Sequence, residues 1–179
     1  MTQVGAVYGE ALYELALGEG LDSVILEELG VLAQAFREEP DYLKLLRSPN
    51  LSKPERCAVL DEAFRGRVQP YLLNFLKILV EKGYIGAFGS CREAYTKRYN
   101  DDHGILSVTA VTAVAMTPAQ VDVMTQKLSR ITGKTIALTN RVDPGVLGGV
   151  RLDYDGKRLD DTVAHRLDAI RDLLKKDVL

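Results

Sequence analysis

The sequence is poor in the residues that build metal centres and nucleophilic active sites. Its 179 residues include two cysteines, Cys57 and Cys91, and two histidines, His103 and His165. The cysteines lack metal-ligand spacing and are too few for a disulfide framework, so a reducing compartment is the simplest interpretation. Two isolated histidines cannot assemble a usual zinc site, and no nucleophile-elbow pattern accompanies them. We therefore expect no metal, no cofactor and no catalytic residue.

Strong charge of one sign and long apolar runs are also absent. The net charge is −2, with 23 basic and 25 acidic residues, which argues against nucleic acid as a partner. No stretch approaches the roughly 20 apolar residues that a membrane-spanning helix needs. The first twenty residues carry Glu10, Glu14 and Glu19 and no Lys or Arg, so we expect no signal or transit peptide. Any membrane association is then expected to be indirect, through partner proteins.

The first 104 residues carry the 3.6-residue apolar period of helices. Ser52-Lys53-Pro54-Glu55 is a capping box with a proline in the first turn, a strong helix start. The helix that begins at Pro70 has almost no polar face, so we expect it to be buried on more than one side. Six helices are predicted, over about 4–17, 22–37, 40–46, 53–64, 70–82 and 85–99.

Beyond Gly104 the apolar period changes from 3.6 to 2, which indicates strands. Strands are predicted over 105–115 and 135–142, with a helix between them that begins at a Thr-Pro-x-Gln cap and ends at Gly133. Asp155-Gly156 is a hairpin signal between two further short strands, because a type I′ turn needs φ > 0 at both central positions.

A last helix is predicted after the hairpin, with one apolar stripe. Its members are Val163, Leu167, Ile170 and Leu174. The predicted fold class is therefore α+β, mostly α. An N-terminal six-helix bundle in residues 1–104 is followed by a small βαβββα domain in residues 105–179.

One motif is tempting but fails its physical requirements. Gly133-Lys134-Thr135 looks like the end of a phosphate-binding P-loop, which needs a glycine where Leu128 stands and a helix where a strand is predicted. A helix-stop turn accounts for it better. The residues alone favour a non-catalytic adaptor, and an RNA- or nucleotide-binding adaptor domain is kept as the alternative.

The stretch 143–167 resembles the C-terminal signature of the delta subunit of F-type ATP synthases, called the oligomycin-sensitivity-conferring protein in mitochondria. That family ends with Asp-Pro, two small residues and Gly-Gly, then a hairpin, Asp-Gly-Ser-Val and a basic, leucine-rich helix. The departures are Asp161 in place of Gly, Thr162 in place of Ser, and Asp155-Gly156 where Gly-Asp is common. The residues in register are Gly148, Gly149, Asp160, Val163, Arg166 and Leu167.

The beginning of the chain is similar to the same family. The family opens with Tyr-Ala-x-Ala-Leu-x-x-Leu-Ala, which residues 8–16 reproduce with Gly9 in place of the first Ala. The resemblance implies a non-catalytic stator subunit of the proton-translocating ATP synthase, peripheral at the cytoplasmic face of a bacterial cell membrane. Such a subunit links the catalytic head to the peripheral stalk, so that rotation is coupled to ATP synthesis.

The resemblance also implies partners for the two domains. The N-terminal domain is expected to bind the N-terminal helix of an alpha subunit of the head in a groove between the first and fifth helices. The C-terminal domain is expected to bind the b subunit of the stalk. The nearly all-apolar fifth helix is an independent hint of the groove. We predict its lining as Tyr8, Ala11, Leu12 and Leu15 on one wall and Leu76, Leu79 and Val80 on the other.

Val146 and Leu147 are apolar residues on a connection that should be exposed. They could belong to an interface with the stalk, or they could fold back over the sheet. The sequence leaves the two alternatives equally open.

Overall fold

Prolines begin several helices of this chain. A proline occupies the first turn of the helices that begin at Pro40, Lys53, Pro70 and Pro118, where its missing N–H costs no hydrogen bond. In the computed structural model, which describes residues 3–162, six α-helices precede the first strand. They are α1 (Gln3–Gly18), α2 (Asp22–Glu38), α3 (Pro40–Arg47), α4 (Lys53–Phe64), α5 (Pro70–Glu81) and α6 (Phe88–Asp102), with a short 3-10 helix at Ile85–Ala87 before α6.

The chain divides into two units, and α5 is central to the first, which ends at Tyr99. As the predicted apolar character of α5 indicates, its leucine, valine and phenylalanine side chains are buried, whereas Ile78 is 44% exposed. Glu28 of α2 accepts hydrogen bonds from the backbone N–H of Gln69 at 2.9 and 3.1 Å, which caps the start of α5. The buried residues of α5 are Leu72, Leu73, Phe75, Leu76, Leu79 and Val80.

The second unit, from Asn100 onward, is built on a four-stranded sheet in the order β2-β1-β3-β4. Strand β1 is central and pairs with β2 in parallel and with β3 in antiparallel orientation. Helix α7 connects the parallel pair, as a crossover must. The elements are β1 (Ile105–Thr112), α7 (Pro118–Thr132), β2 (Thr135–Val142), β3 (Val150–Tyr154) and β4 (Lys157–Asp160), with a 3-10 helix at Pro144–Val146.

The register of the sheet separates an apolar face from a polar one. The core of this unit consists of Val108, Ala110, Ile136 and Leu152, against which Met124 and Leu128 of α7 pack. On the other face the carboxylate of Asp153 forms ion pairs with three arginines. The distances from guanidinium nitrogen to carboxylate oxygen are 3.0 Å for Arg158, 3.4 Å for Arg151 and 3.9 Å for Arg141. Burial alone would raise the pKa of Asp153, but the hydrogen bond from Arg158 and the arginine charges lower it.

Two turns of this unit can be compared with the sequence predictions: the hairpin turn at Asp155-Gly156 and the connection that contains Val146 and Leu147. Asp155 and Gly156 both have positive φ, 50° and 72°, as the predicted type I′ hairpin requires. Val146 is buried, whereas Leu147 is 66% exposed with a φ of 61°. Val146 therefore folds back onto the protein, and Leu147 remains on the surface.

The predicted class, α+β and mostly α, is confirmed: seven α-helices and one four-stranded sheet lie within residues 3–162. The last helix of the predicted βαβββα order falls on residues outside this range, so the complete order stays a prediction. Strand β1 ends at Thr112, three residues before its predicted end. Between residues 3 and 162, none of the helices combines the length and the apolar character needed to cross a membrane.

Candidate protein-binding surface

Helix α1 has two apolar faces, and one of them is on the surface. The buried face consists of Gly5, Gly9, Leu12, Tyr13 and Ala16. The second face, here called the α1 stripe, is Val4, Val7, Tyr8, Ala11 and Leu15, which lie within an arc of about 100° on a helix with 3.6 residues per turn. Val7 is 61% and Leu15 44% exposed. A stripe of this kind matches the spacing with which one amphipathic helix docks on another.

Helix α5 borders the α1 stripe and runs antiparallel to it. Near the start of α1, the ring of Tyr8 packs edge-on against that of Tyr84, with 5.9 Å between the centroids. Near the end of α1, Glu19 and Tyr71 form a hydrogen bond that raises the pKa of Tyr71. Ile78 lies between Tyr71 and Tyr84 along the chain, and its exposed side chain extends the apolar area. The α1 stripe together with Ile78 and Tyr84 is called the docking surface below.

The structure separates the seven predicted groove residues into two groups. Tyr8 is half-buried and Ala11 and Leu15 are exposed, so these three belong to the docking surface. The other four lie in the core, each at most 4% exposed: Leu12, Leu76, Leu79 and Val80. In this structure they support the surface from beneath and do not line it.

Four residues of the docking surface were not among the predicted contacts: Val4, Val7, Ile78 and Tyr84. The exposure of Val7 could have been predicted from the sequence if the glycines of α1 had been assigned to its buried face. Gly5 and Gly9 are buried against neighbouring elements, which turns the face bearing Val7 outward. Ile78 also carried a signal, because Asn74, Glu81 and Lys82 lie one helical turn away from it along the chain, which places it on the polar side of α5.

The second unit has an apolar cavity of its own. It encloses about 570 Å³ between the end of β1, one side of α7 and the Gly148-Gly149 turn. Val123 of α7 lines it and is 52% exposed, and no residue of α7 is fully buried. The lining is Thr112 to Met116, Ala119, Gln120, Val123, Met124, Lys127, Gly148 and Gly149.

Asn140 of β2 holds the segment that forms the cavity rim. Its amide nitrogen donates to the carbonyl oxygen of Ala110 at 2.9 Å and to Oγ1 of Thr112 at 2.8 Å. Its side-chain oxygen accepts from the backbone N–H of Met116 at 2.9 Å. One side chain thus fixes both the end of β1 and the approach to α7.

The ionisable groups in the part of the chain that the structure describes form no metal-binding cluster. That part has no group of three His, Cys, Asp or Glu side chains placed to hold a metal ion. Burial raises the pKa of the Cys91 thiol to about 11, so this cysteine is a neutral core residue at pH 7.

Comparison with known proteins decides the family. The family model described as ATP synthase delta (OSCP) subunit matches residues 4–174. The chain belongs to this family. It is 33% identical to the ATP synthase subunit delta of Alkaliphilus oremlandii, with 94% of each chain covered. It is 31% identical to that of Clostridioides difficile, again with 94% of each covered, and 31% to that of Lactobacillus gasseri, with 96% and 94% covered.

A solved structure shares the fold of the delta-family chain. A chain of the Toxoplasma gondii mitochondrial ATP synthase hexamer superposes with a TM-score of 0.76, covering 97% of this chain and 98% of that one. The sequence identity is 19%, so this likeness concerns the fold alone.

Family membership confirms the resemblance seen in the sequence. The protein is a non-catalytic stator subunit of the F-type ATP synthase. The alternative function, an RNA- or nucleotide-binding adaptor, is not favoured.

Proposed function

We propose that this delta-family protein joins the catalytic head of the ATP synthase to its peripheral stalk, with one unit for each partner. The first unit binds the N-terminal helix of an alpha subunit on the docking surface. The second unit binds the b subunit of the stalk. The complex places the protein at the cytoplasmic face of a bacterial cell membrane, which it reaches only through its partners.

The observation that carries the head contact is the exposed α1 stripe beside α5. Monomeric proteins seldom leave several large apolar side chains together on one helix face, and such patches mark interaction sites. Val7, Leu15, Ile78 and Tyr84 are each more than 40% exposed. An amphipathic helix lying along the stripe would bury them with its own apolar side chains.

The test is Leu15→Asp in the full chain, with binding of an alpha-subunit N-terminal peptide measured by calorimetry. Burying one leucine contributes about 1.5–3 kcal/mol, and each 1.4 kcal/mol is a factor of ten in affinity. We therefore expect binding at least tenfold weaker. Because Leu15 makes little contribution to the core, the variant should keep the helical circular dichroism of the parent.

Val31→Asp is the matched control for this test. Val31 is an exposed apolar residue at 69% on α2, outside the docking surface, and its replacement should leave the affinity unchanged. Unchanged binding in a folded Leu15→Asp variant would remove the docking surface as the head contact.

The second unit carries a separate proposal, that the apolar cavity beside α7 receives the stalk. Its support is the combination of an open apolar cavity with the exposed Leu147, held at a φ of 61° next to the Gly148-Gly149 rim. A non-glycine residue in this left-handed conformation costs of order 1 kcal/mol or more. Such strain at an exposed apolar residue is more typical of a binding site than of an ordinary loop.

Two variants of the full chain test the stalk contact. Val123→Asp and Leu147→Asp should each weaken binding to the isolated b subunit at least tenfold and leave head binding intact. Ile131→Asp is the control, because Ile131 is 81% exposed on α7 and does not line the cavity. Equal binding of the stalk by all three variants would assign the cavity another role, and loss of head binding would contradict the division between units.

A further inference from the structure

The first two helices of the chain, of which α1 carries the apolar stripe of the docking surface, have acidic side chains and almost no basic ones. From residue 3 to residue 36 the sequence has six acidic residues and no Lys, Arg or His. The first basic side chain of the chain is Arg37, near the end of α2. The six are Glu10, Glu14, Glu19, Asp22, Glu27 and Glu28.

Two of these carboxylates lie directly beside the α1 stripe. Glu10 and Glu14 are exposed and one turn apart on α1, so they stand one above the other on the same side of the helix. At 100° per residue, Glu14 follows Val7 around the helix by about 20°. The stripe is therefore bordered by α5 on the side of Tyr8 and by carboxylates on the side of Val7.

The other acidic residues near the surface are already engaged, which sets Glu10 and Glu14 apart. Glu19 is hydrogen-bonded to Tyr71, and Glu28 caps α5 through Gln69. On α5, Lys77 is paired with Asp61 at 2.7 Å, and Glu81 and Lys82 are neighbours of opposite charge. The border along α1 is thus the part of the docking surface with one sign of charge.

We infer that the docking surface selects a basic amphipathic helix, one that carries Lys or Arg along the flank that lies beside Glu10 and Glu14. The inference rests on the proposed head contact and specifies the chemistry of the partner. The apolar stripe supplies the affinity and the carboxylates supply attraction and orientation, because charges at the rim of an interface act mainly on the association rate. A helix laid in the reverse direction would present its basic flank to the α5 side.

The experiment measures association rates by stopped flow between the full chain and the alpha-subunit N-terminal peptide at several salt concentrations. A second peptide has each Lys and Arg replaced by Gln. The variant is Glu10→Lys with Glu14→Lys. The control is Glu27→Lys with Glu62→Lys, which makes the same change in net charge at exposed positions on α2 and α4.

We expect the parent rate to fall steeply as salt is raised, since the Debye length shortens to about 10 Å at 0.1 M. At low salt the Glu10/Glu14 variant should associate about tenfold more slowly with the basic peptide. The control variant should retain most of the parent rate. The Gln-substituted peptide should associate at a rate that depends little on salt or on Glu10 and Glu14.

Two results would overturn the inference in distinguishable ways. If Leu15→Asp prevents binding but neither salt nor the Glu10/Glu14 reversal changes the rate, the head contact stands and the selection by charge is wrong. If Leu15→Asp has no effect either, the docking surface itself is wrong and the inference falls with it. A partner helix with no Lys or Arg beside its apolar stripe would also contradict the inference.

Discussion

Gly9 of α1 faces the carbonyl oxygen of Cys91 in α6 so closely that a Cβ atom at Gly9 would lie 2.3 Å from that oxygen. The same atom would lie 2.8 Å from Cβ of Ala94. The opening motif of the family has alanine at this position, and the chain replaces it with the one residue that fits. The contact also fixes which side of α1 is turned outward.

Gly9→Ala should therefore destabilise the protein although alanine is the better helix former. Overpacking a close backbone contact costs about 1–3 kcal/mol, more than the roughly 1 kcal/mol of helix propensity gained. The free energy of unfolding from urea titrations measures the net effect. Gly30→Ala in α2, where an added Cβ meets nothing within 4 Å, should stabilise by about 0.5–1 kcal/mol. Equal effects at the two positions would contradict the close contact.

Substitutions at Leu76 and Leu15 should have different effects, the first on the stability of the fold and the second on peptide binding. Leu76 is fully buried and Leu15 is 44% exposed. Leu76→Ala should lower the free energy of unfolding by about 2–5 kcal/mol because it opens a cavity in the core. Leu15→Ala should change stability by about 0.5 kcal/mol or less and act on peptide binding instead. A large loss of stability in Leu15→Ala would place this residue in the core.

Asn140→Leu should loosen the rim of the cavity in the second unit. The substitution leaves the N–H of Met116 without its side-chain acceptor, and an unsatisfied half-buried polar group costs about 1–3 kcal/mol. Hydrogen exchange at the Met116 amide should accelerate measurably. The neighbouring exposed Thr139→Ala is the control and should leave that amide protected. Unchanged exchange at Met116 would show that Asn140 does not hold the segment.

The ion pair between Asp61 and Lys77 should make stability depend on pH. The hydrogen bond from Lys77 lowers the pKa of Asp61, and the charge of Arg65 acts in the same direction. The folded pKa is below the unfolded value of about 3.9, so the stabilisation is fully present above that value. It is lost as pH falls through the folded pKa.

Asp61→Asn should therefore be less stable than the parent at pH 7, and the difference should shrink as pH falls below about 4. Urea titrations across this range measure it. In a Lys77→Met background the substitution should have a much smaller effect, which a double-mutant cycle detects. A difference that grows on acidification would reverse the assigned sign.

Local sequence signals predicted where helices and strands begin and end better than they predicted which side of each helix is exposed. The capping boxes at Ser52 and Thr117 form as predicted, because each depends on residues three positions apart. The outward face of α1 depends on how closely α6 approaches Gly9, which is a property of the packed protein. On α5 the prediction treated seven apolar positions alike, although the sequence distinguishes Ile78 because Asn74, Glu81 and Lys82 lie one turn away on the same side of the helix.

The family signature was readable for a related reason. Gly149 of that signature has a φ of 81°, a backbone conformation that favours glycine, and a Cβ there would also lie 2.6 Å from the carbonyl oxygen of Asp161. A glycine that the backbone conformation requires can be recognised in the sequence without reference to any partner. The residues of the docking surface are selected by contact with a partner protein, so they are harder to predict from the sequence of this chain alone.

The position of β1 has a mechanical consequence. Gly104 leads from the end of α6 directly into β1, an inner strand of the sheet that is hydrogen-bonded along both edges. A pull delivered along this strand loads both ladders in shear, so many hydrogen bonds must break together before β1 slides. A pull on the outer strand β4 would instead peel one ladder, a bond at a time. The strand that follows Gly104 is therefore held by two ladders of hydrogen bonds, and its displacement along its own axis is the motion that the sheet resists most strongly.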